Sequence, residues 1–160
     1  MALPPGYELH AGPPSVPEYR RLRAASGLTP VSQAQAEKAI PGTWAFRHVR
    51  FHTAAISSRG TDHTSGHHDA AGEAVAMGRI VGDGGWYFVV ADMATMPDHQ
   101  RRGLGRVILT ALLDEVRASA EPGAFVTLTA DPPGRRLYES LGFEDVRIAE
   151  ETGMRLWLRD

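Results

Sequence analysis

The chain contains no cysteine, and that one absence excludes a disulfide framework, a thiolate-ligated metal and a cysteine nucleophile together. Excess charge of either sign is also missing. Lys and Arg total 17 against 19 Asp and Glu, a formal net charge of −2. No long-range field therefore draws the protein to nucleic acid or to an anionic membrane surface, and neither is expected as a partner. No apolar run is long enough to span a bilayer, and Met1-Ala2-Leu3-Pro4-Pro5-Gly6 lacks the basic start and apolar stretch of a signal peptide. A cytoplasmic protein is expected. Repeats and low-complexity tracts are absent. What is present is ordinary for a globular chain, 42% hydrophobic and 22% charged, and its length suits one core rather than two. A single domain over residues 1–160 is the expectation.

Local signals divide the chain into elements. Ser15 with Glu18 reads as a capping box that starts a helix with Tyr19 and Leu22 on one face, stopped at Gly27. Ser32 with Gln35 repeats the signal for a short helix ended by Pro41-Gly42. Strands are predicted around residues 7–10 and 44–51. Residues 57–69 offer no apolar group to bury and read as an exposed loop insertion. Residues 73–81 and 86–96 are strand-like and are joined by the hairpin-type turn Gly82-Asp83-Gly84-Gly85. From Leu104 the period becomes helical: Leu104, Val107, Ile108, Ala111 and Leu112 form one face, widened by Leu109, Leu113 and Val116. A strand over 125–130 follows. Asp131-Pro132 then caps a helix through Leu141, with Gly142 left-handed, and strands over 143–148 and 154–158 close the chain.

One stretch carries chemistry. Gln100-Arg101-Arg102-Gly103-Leu104-Gly105 lies between a strand and the long helix, where backbone N–H groups and a partial charge of about +0.5 face outward. Phosphates bind such ends, and glycine at 103 and 105 keeps side chains out of their way. A tight turn without a ligand would use the same glycines. A nucleotide-triphosphate loop would need Gly-Lys-Ser/Thr, and a dinucleotide fold a third glycine where Ile108 stands.

Gln100 to Gly105 resembles the Gln/Arg-x-x-Gly-x-Gly/Ala signature of the GNAT superfamily of acetyl-CoA-dependent N-acetyltransferases. Asp92-Met93-Ala94-Thr95-Met96-Pro97 is similar to that family's bulged strand, and Leu137 to Phe143 to its second motif. The resemblance covers residues 76–143. It implies an α/β fold: a mixed, mostly antiparallel sheet with helices on both faces and a splayed central strand pair. It implies acetyl-CoA as co-substrate, its pantetheine arm paired with the backbone of Met93, Ala94 and Thr95. The pyrophosphate would lie on the amides of Arg101, Arg102, Gly103, Leu104, Gly105 and Arg106. Asp131 takes the place of a frequent pantetheine-contacting Asn, a change of charge, and Tyr138 matches the tyrosine beside the thioester sulfur.

Direct attack of a neutral amine on a thioester needs a route for the ammonium proton and a donor for the departing thiolate. Tyr138 is the donor candidate. Asp92 is the foremost base candidate, equally readable as a carboxylate hydrogen-bonded at the strand bulge; Glu73, His48 and His52 are weaker ones. The expected acceptor is a small-molecule amine, because a near-neutral chain offers no docking surface for a basic protein tail. A protein N-terminal or lysine acceptor is the alternative, and a non-catalytic acyl-CoA-binding module is another, opposed by Tyr138. The oligomeric state is open, with a homodimer admitted. His63, His67 and His68 beside Asp62 and Asp69 invite a metal, yet a mobile loop lacks the supporting shell that fixes one, and no metal is expected. Trp44, Trp86, Tyr87 and Phe88 read mostly as packing groups, and Arg20, Arg21 and Arg23 as a solvated helix face.

Overall fold

Both capping boxes form in the computed structural model, which describes residues 3–53, 72–150 and 152–154. The Ser15 hydroxyl accepts from the Glu18 amide while the Glu18 carboxylate accepts from the Ser15 N–H at 2.9 Å, and α1 (Val16–Ala25) follows. Ser32 and Gln35 exchange the same bonds at the start of α2 (Gln33–Ala39). Each box satisfies amides that a helix start leaves without partners. After α1 the chain turns at Gly27, with φ at 83°, as expected of a glycine stop. The loop expected over 57–69 lies outside the described residues.

The described chain falls into two compact units, Met1–Val126 and Thr127–Asp160. The first is built on a sheet in the order β1 (Tyr7–Ala11), β2 (Ala45–Phe51), β3 (Glu73–Gly82), β4 (Tyr87–Thr95) and β5 (Phe125–Thr127). The first four strands pair antiparallel in sequence. Between β3 and β4 the Asp83 carboxylate accepts the N–H groups of Gly85, Trp86 and Tyr87, which closes the expected turn.

Alternation along β3 gives the sheet two covered faces. Met77 joins Tyr19, Leu22, Ala36, Phe46, Ala74 and Ala94 in the core under α1 and α2. Its neighbour Gly78 faces the other way, toward Ile108 and Leu112 of α3 (Leu104–Ser119). Six of the eight apolar positions read from the sequence, Leu104, Ile108, Leu109, Leu112, Leu113 and Val116, form the buried face of α3, while Val107 and Ala111 are half-buried.

The ladder between β3 and β4 slips by one residue. Arg79 pairs with Ala91 but Met77 pairs with Ala94, so β4 carries an extra residue at Asp92–Met93, and Asp92 takes a positive φ of 55°. Gly78 lies opposite this bulge and leaves room for the Met93 thioether. A methyl at Gly78 would sit 2.8 Å from Ile108 Cγ2 and closer still to the Met93 sulfur. Overpacking of a tight core costs about 1–3 kcal/mol, so Gly78→Ala is expected to lower the melting temperature by several degrees, measured by thermal denaturation.

In the second unit the expected helix over 132–141 is shorter. A 3-10 turn over Pro132–Gly134 leads into α4 (Arg135–Glu139), and the Asp131 side chain caps nothing. Pro132 and Pro133 supply no N–H, and the Gly134 N–H goes to the Asp131 backbone carbonyl at 2.9 Å, so the carboxylate has no amide to accept. Gly142 is left-handed, φ 92°, as the sequence predicts. The strand expected over 143–148 does not form. Asp145 accepts from the Arg147 amide at 3.0 Å and pairs with the guanidiniums of Arg147 and Arg135, turning the segment into a 3-10 helix over Val146–Ala149. A short acidic side chain here outcompetes a strand ladder for the backbone. Of the strand expected over 154–158, residues 155–158 lie outside the described residues.

Candidate active site

The bulge and the glycine turn are assembled by one short connection. Beyond β4 the Met96 N–H donates to the Val75 carbonyl at 2.8 Å, and a 3-10 turn over Pro97–His99 reverses the chain. The Gln100 side-chain amide donates to the Thr95 carbonyl at 3.2 Å, which ties the motif's first residue to the end of the bulged strand. Arg101 and Gly103 then both take positive φ, 61° and 80°, and α3 begins at Leu104. Two left-handed residues in a row of four precede the first helical bond, Val107 N–H to the Gly103 carbonyl at 3.1 Å. Arg101, Arg102 and Gly103 are exposed, and Gly105 and Arg106 half-buried in the first turn of α3. The result is an arginine-flanked glycine turn at the head of α3, the kind of backbone that phosphates favour in general.

Met93, Ala94 and Thr95 lie just upstream. Ala94 and Thr95 pair with Met77 and Ala76 of β3 on one side, while Met93 lies in the bulge. On the other side the neighbour is β5, three residues long, whose Phe125 N–H donates to the Trp86 carbonyl at the opposite end of β4. At about 3.3 Å per residue, β5 is too short to reach from there to Met93. Among the described residues, β5 therefore leaves the backbone edge over 93–95 without a strand partner on that side.

Asp92 sits at the centre of a buried ion-pair network. Its Oδ2 accepts from the Tyr19 hydroxyl at 2.6 Å and from Arg79 Nε at 2.6 Å, and its Oδ1 accepts from Arg23 Nη1. Burial pushes this carboxyl up, but the Tyr19 hydroxyl and the two guanidiniums together outweigh burial and hold it below the usual carboxylate range. Arg79 also reaches the Ala39 carbonyl and the Thr43 hydroxyl, and Arg23 the Thr29 carbonyl. One carboxylate therefore joins α1, the segment after it, the end of α2, β3 and the bulge.

Arg23 was expected on a solvated face. Its side chain is 11% exposed, because position 23 follows Tyr19 by four residues and falls on the same buried stripe. That spacing was the available signal for Arg23; nothing in the sequence pointed to Arg79. Arg20 bonds the Val31 carbonyl, and Arg21 pairs with Glu73 at 2.8 Å and donates to the Ala74 carbonyl.

The weaker base candidates belong to other local networks. Glu73 is engaged by Arg21. His48 is buried, with Nδ1 2.8 Å from the Gly12 carbonyl, and burial holds its pKa below the ordinary histidine value. His52 stands 3.4 Å from the Glu8 carboxylate. Of the aromatics, Phe88 is buried and meets Trp44 edge-on, whereas Trp86 and Tyr87 are exposed. His63, His67 and His68 lie outside the described residues. No helix among the described residues is long and apolar enough to cross a membrane.

Asp131 and Tyr138 belong to the second unit. Tyr138 sits on α4, its ring against Gly134, where a Cβ would be 3.1 Å from Cε2, and edge-on to Phe143 at 6.0 Å. Burial, with a smaller contribution from the Asp131 charge, raises its hydroxyl above the ordinary tyrosine value. The group therefore stays protonated, and is a donor, throughout the neutral and mildly alkaline range.

A family profile described as the acetyltransferase (GNAT) domain matches residues 64–145. The ribosomal protein bS18-alanine N-acetyltransferase of Salmonella typhimurium is 40% identical over 67 residues, 38% of this chain and 45% of that protein. The chain thus spans less than half the length of the curated relatives it matches. Among solved structures, a Staphylococcus aureus protein of unknown function superposes with a TM-score of 0.78 at 23% identity, covering 95% of this chain and 99% of the other. The Escherichia coli ribosomal-protein-S18-alanine N-acetyltransferase gives 0.60 at 19%, covering 86% and 77%. Both share the fold of a mixed sheet with helices on its faces. With the bulged strand, the left-handed glycine turn and the profile over half its length, the chain belongs to the GNAT family of acetyltransferases.

Proposed function

We propose that this enzyme transfers the acetyl group of acetyl-CoA to a primary amine of a small molecule, by direct attack in a ternary complex. The observation that carries the proposal is the Arg101–Gly103 turn at the head of α3, tied through Gln100 to the strand edge at Met93, Ala94 and Thr95. In this reading the amides of Arg101 to Arg106 hold the pyrophosphate and the 93–95 backbone pairs with the pantetheine arm, with Asp131 contributing to it. A neutral amine nitrogen attacks the thioester carbonyl, the C–N bond forms, the C–S bond breaks, and the thiolate takes its proton from Tyr138. The amine's own proton is lost to solvent. Asp92 holds α1 against the bulge.

Thermal denaturation with acetyl-CoA tests the cofactor half. A ligand bound only to the folded state at 100 times its dissociation constant adds about 2.7 kcal/mol, so a rise of several degrees is expected. Gly103→Val, which puts a branched side chain at a left-handed position in the turn, is expected to abolish the rise. A rise with a nucleotide triphosphate but not with acetyl-CoA would overturn the assignment. A second acceptor reading, the N-terminal amine of a protein, is favoured by the relatives that act on ribosomal protein bS18. Thiol release measured with a panel of small amines and with peptides bearing a free N-terminal alanine separates the two.

A further inference from the structure

A second cluster lies on the sheet away from the bulge, on the edge strand. Glu8 and His10, two apart on β1, share a face, and His52 follows β2 on that same face, its N–H donating to the Gly6 carbonyl at 2.9 Å. The Glu8 Oε2 is 3.4 Å from His10 Nε2 and 3.4 Å from His52 Nε2, and all three atoms lie within 4.8 Å of one another. Neither nitrogen makes a hydrogen bond, and both are shut off from solvent. Two imidazole nitrogens left unsatisfied beside a carboxylate oxygen call for an explanation, because buried polar atoms are ordinarily paired.

A cation supplies one. Zinc bonds to histidine nitrogen and carboxylate oxygen are about 2.0–2.2 Å long, and four such ligands in a tetrahedron stand about 3.4 Å apart. Two of the three edges already have that length. The rings are held in place from behind: His10 stacks on His48 at 5.2 Å between centroids, and the Gly72 backbone is so close that a Cβ there would lie 2.8 Å from His52 Nδ1. The neighbouring cation is neutralised, since Arg50 pairs with Glu18 at 2.8 Å. A groove of about 530 Å³, walled also by Glu18, His48 and Arg50, leaves room for water or another ligand at the fourth position.

We infer that Glu8, His10 and His52 bind a divalent first-row cation of the zinc type, clipping the edge strand β1 to the end of β2. The inference is independent of the acetyl-transfer reading.

Untagged, metal-stripped full-length protein titrated with zinc chloride, and separately with cobalt chloride, tests it. One equivalent of zinc is expected to bind and to raise the melting temperature, and cobalt to develop the visible absorption of a four-coordinate site. His10→Gln and His52→Gln are each expected to weaken zinc binding at least tenfold while retaining the wild-type circular dichroism spectrum and the acetyl-CoA thermal shift. A variant with His63, His67 and His68 all replaced by Ala is expected to bind as the wild type does. No zinc binding by the wild type, unchanged binding in either single variant, or a tenfold loss in the triple variant would each overturn the assignment.

Discussion

Tyr138→Phe is expected to reduce turnover by about 10²–10⁴-fold, the usual range for a positioned general acid, with little change in affinity for acetyl-CoA. The substitution keeps the ring that packs against Gly134 and Phe143 and removes only the hydroxyl. Because that hydroxyl titrates above the ordinary tyrosine value, wild-type activity should persist through mildly alkaline pH and fall only as the group ionises. The alkaline limb should be altered in the Phe variant. Steady-state turnover across pH, with acetyl-CoA affinity measured in parallel, checks both. Weaker cofactor binding with unchanged turnover would make Tyr138 a binding residue, and identical profiles would leave it as packing.

Asp92→Ala is expected to destabilise the fold by about 3–5 kcal/mol, the usual cost of removing one partner from a buried ionic network. The side chains of Arg23 and Arg79 are 11% and 14% exposed, so their guanidiniums would keep their charge with no counter-ion and little water. In a domain whose total stability is about 5–15 kcal/mol, that shows as a fall of roughly 10 °C or more in melting temperature. The sign with pH follows from the depressed carboxyl. A group whose folded-state pKa lies below its ordinary value contributes above that ordinary value and ceases to contribute as pH falls through the folded-state one. The stability gap between wild type and variant should therefore be constant through neutral pH and shrink only below about pH 4. Denaturant unfolding at several pH values measures it. Assayed well below its melting temperature, the variant should keep most of its turnover; loss of turnover at unchanged stability would return Asp92 to the role of base.

The parts of the structure legible in the sequence are those settled by neighbours in the chain. Ser15 with Glu18, Ser32 with Gln35, the turn at Asp83, the helical stripe from Leu104 and the left-handed Gly142 each depend on contacts within a few residues, so spacing alone reveals them. The motif from Gln100 to Gly105 belongs to the same class, since a phosphate turn is made by consecutive backbone groups. Expectations broke where two local signals competed: the prolines after Asp131 removed the amides that it would have capped, and Asp145 captured the backbone of an apolar segment that reads as a strand.

Tertiary structure decided the environment of each charge. Asp92 stands 73 residues from Tyr19 and 69 from Arg23, and no sequence pattern reports that a bulge would turn its carboxylate toward them. Likewise Glu8 and His52 meet only because β1 and β2 pair in one register, since a slip by a single residue would send one of them to the opposite face. By itself the sequence determined most of the elements, the family and the glycine turn at the head of α3, because these are written in local spacing. Which carboxylate carries an ion-pair network, and which histidines share a face, followed from strand register and from how the helices cover the sheet, because the strength of a charge is set by burial and by partners brought from far along the chain.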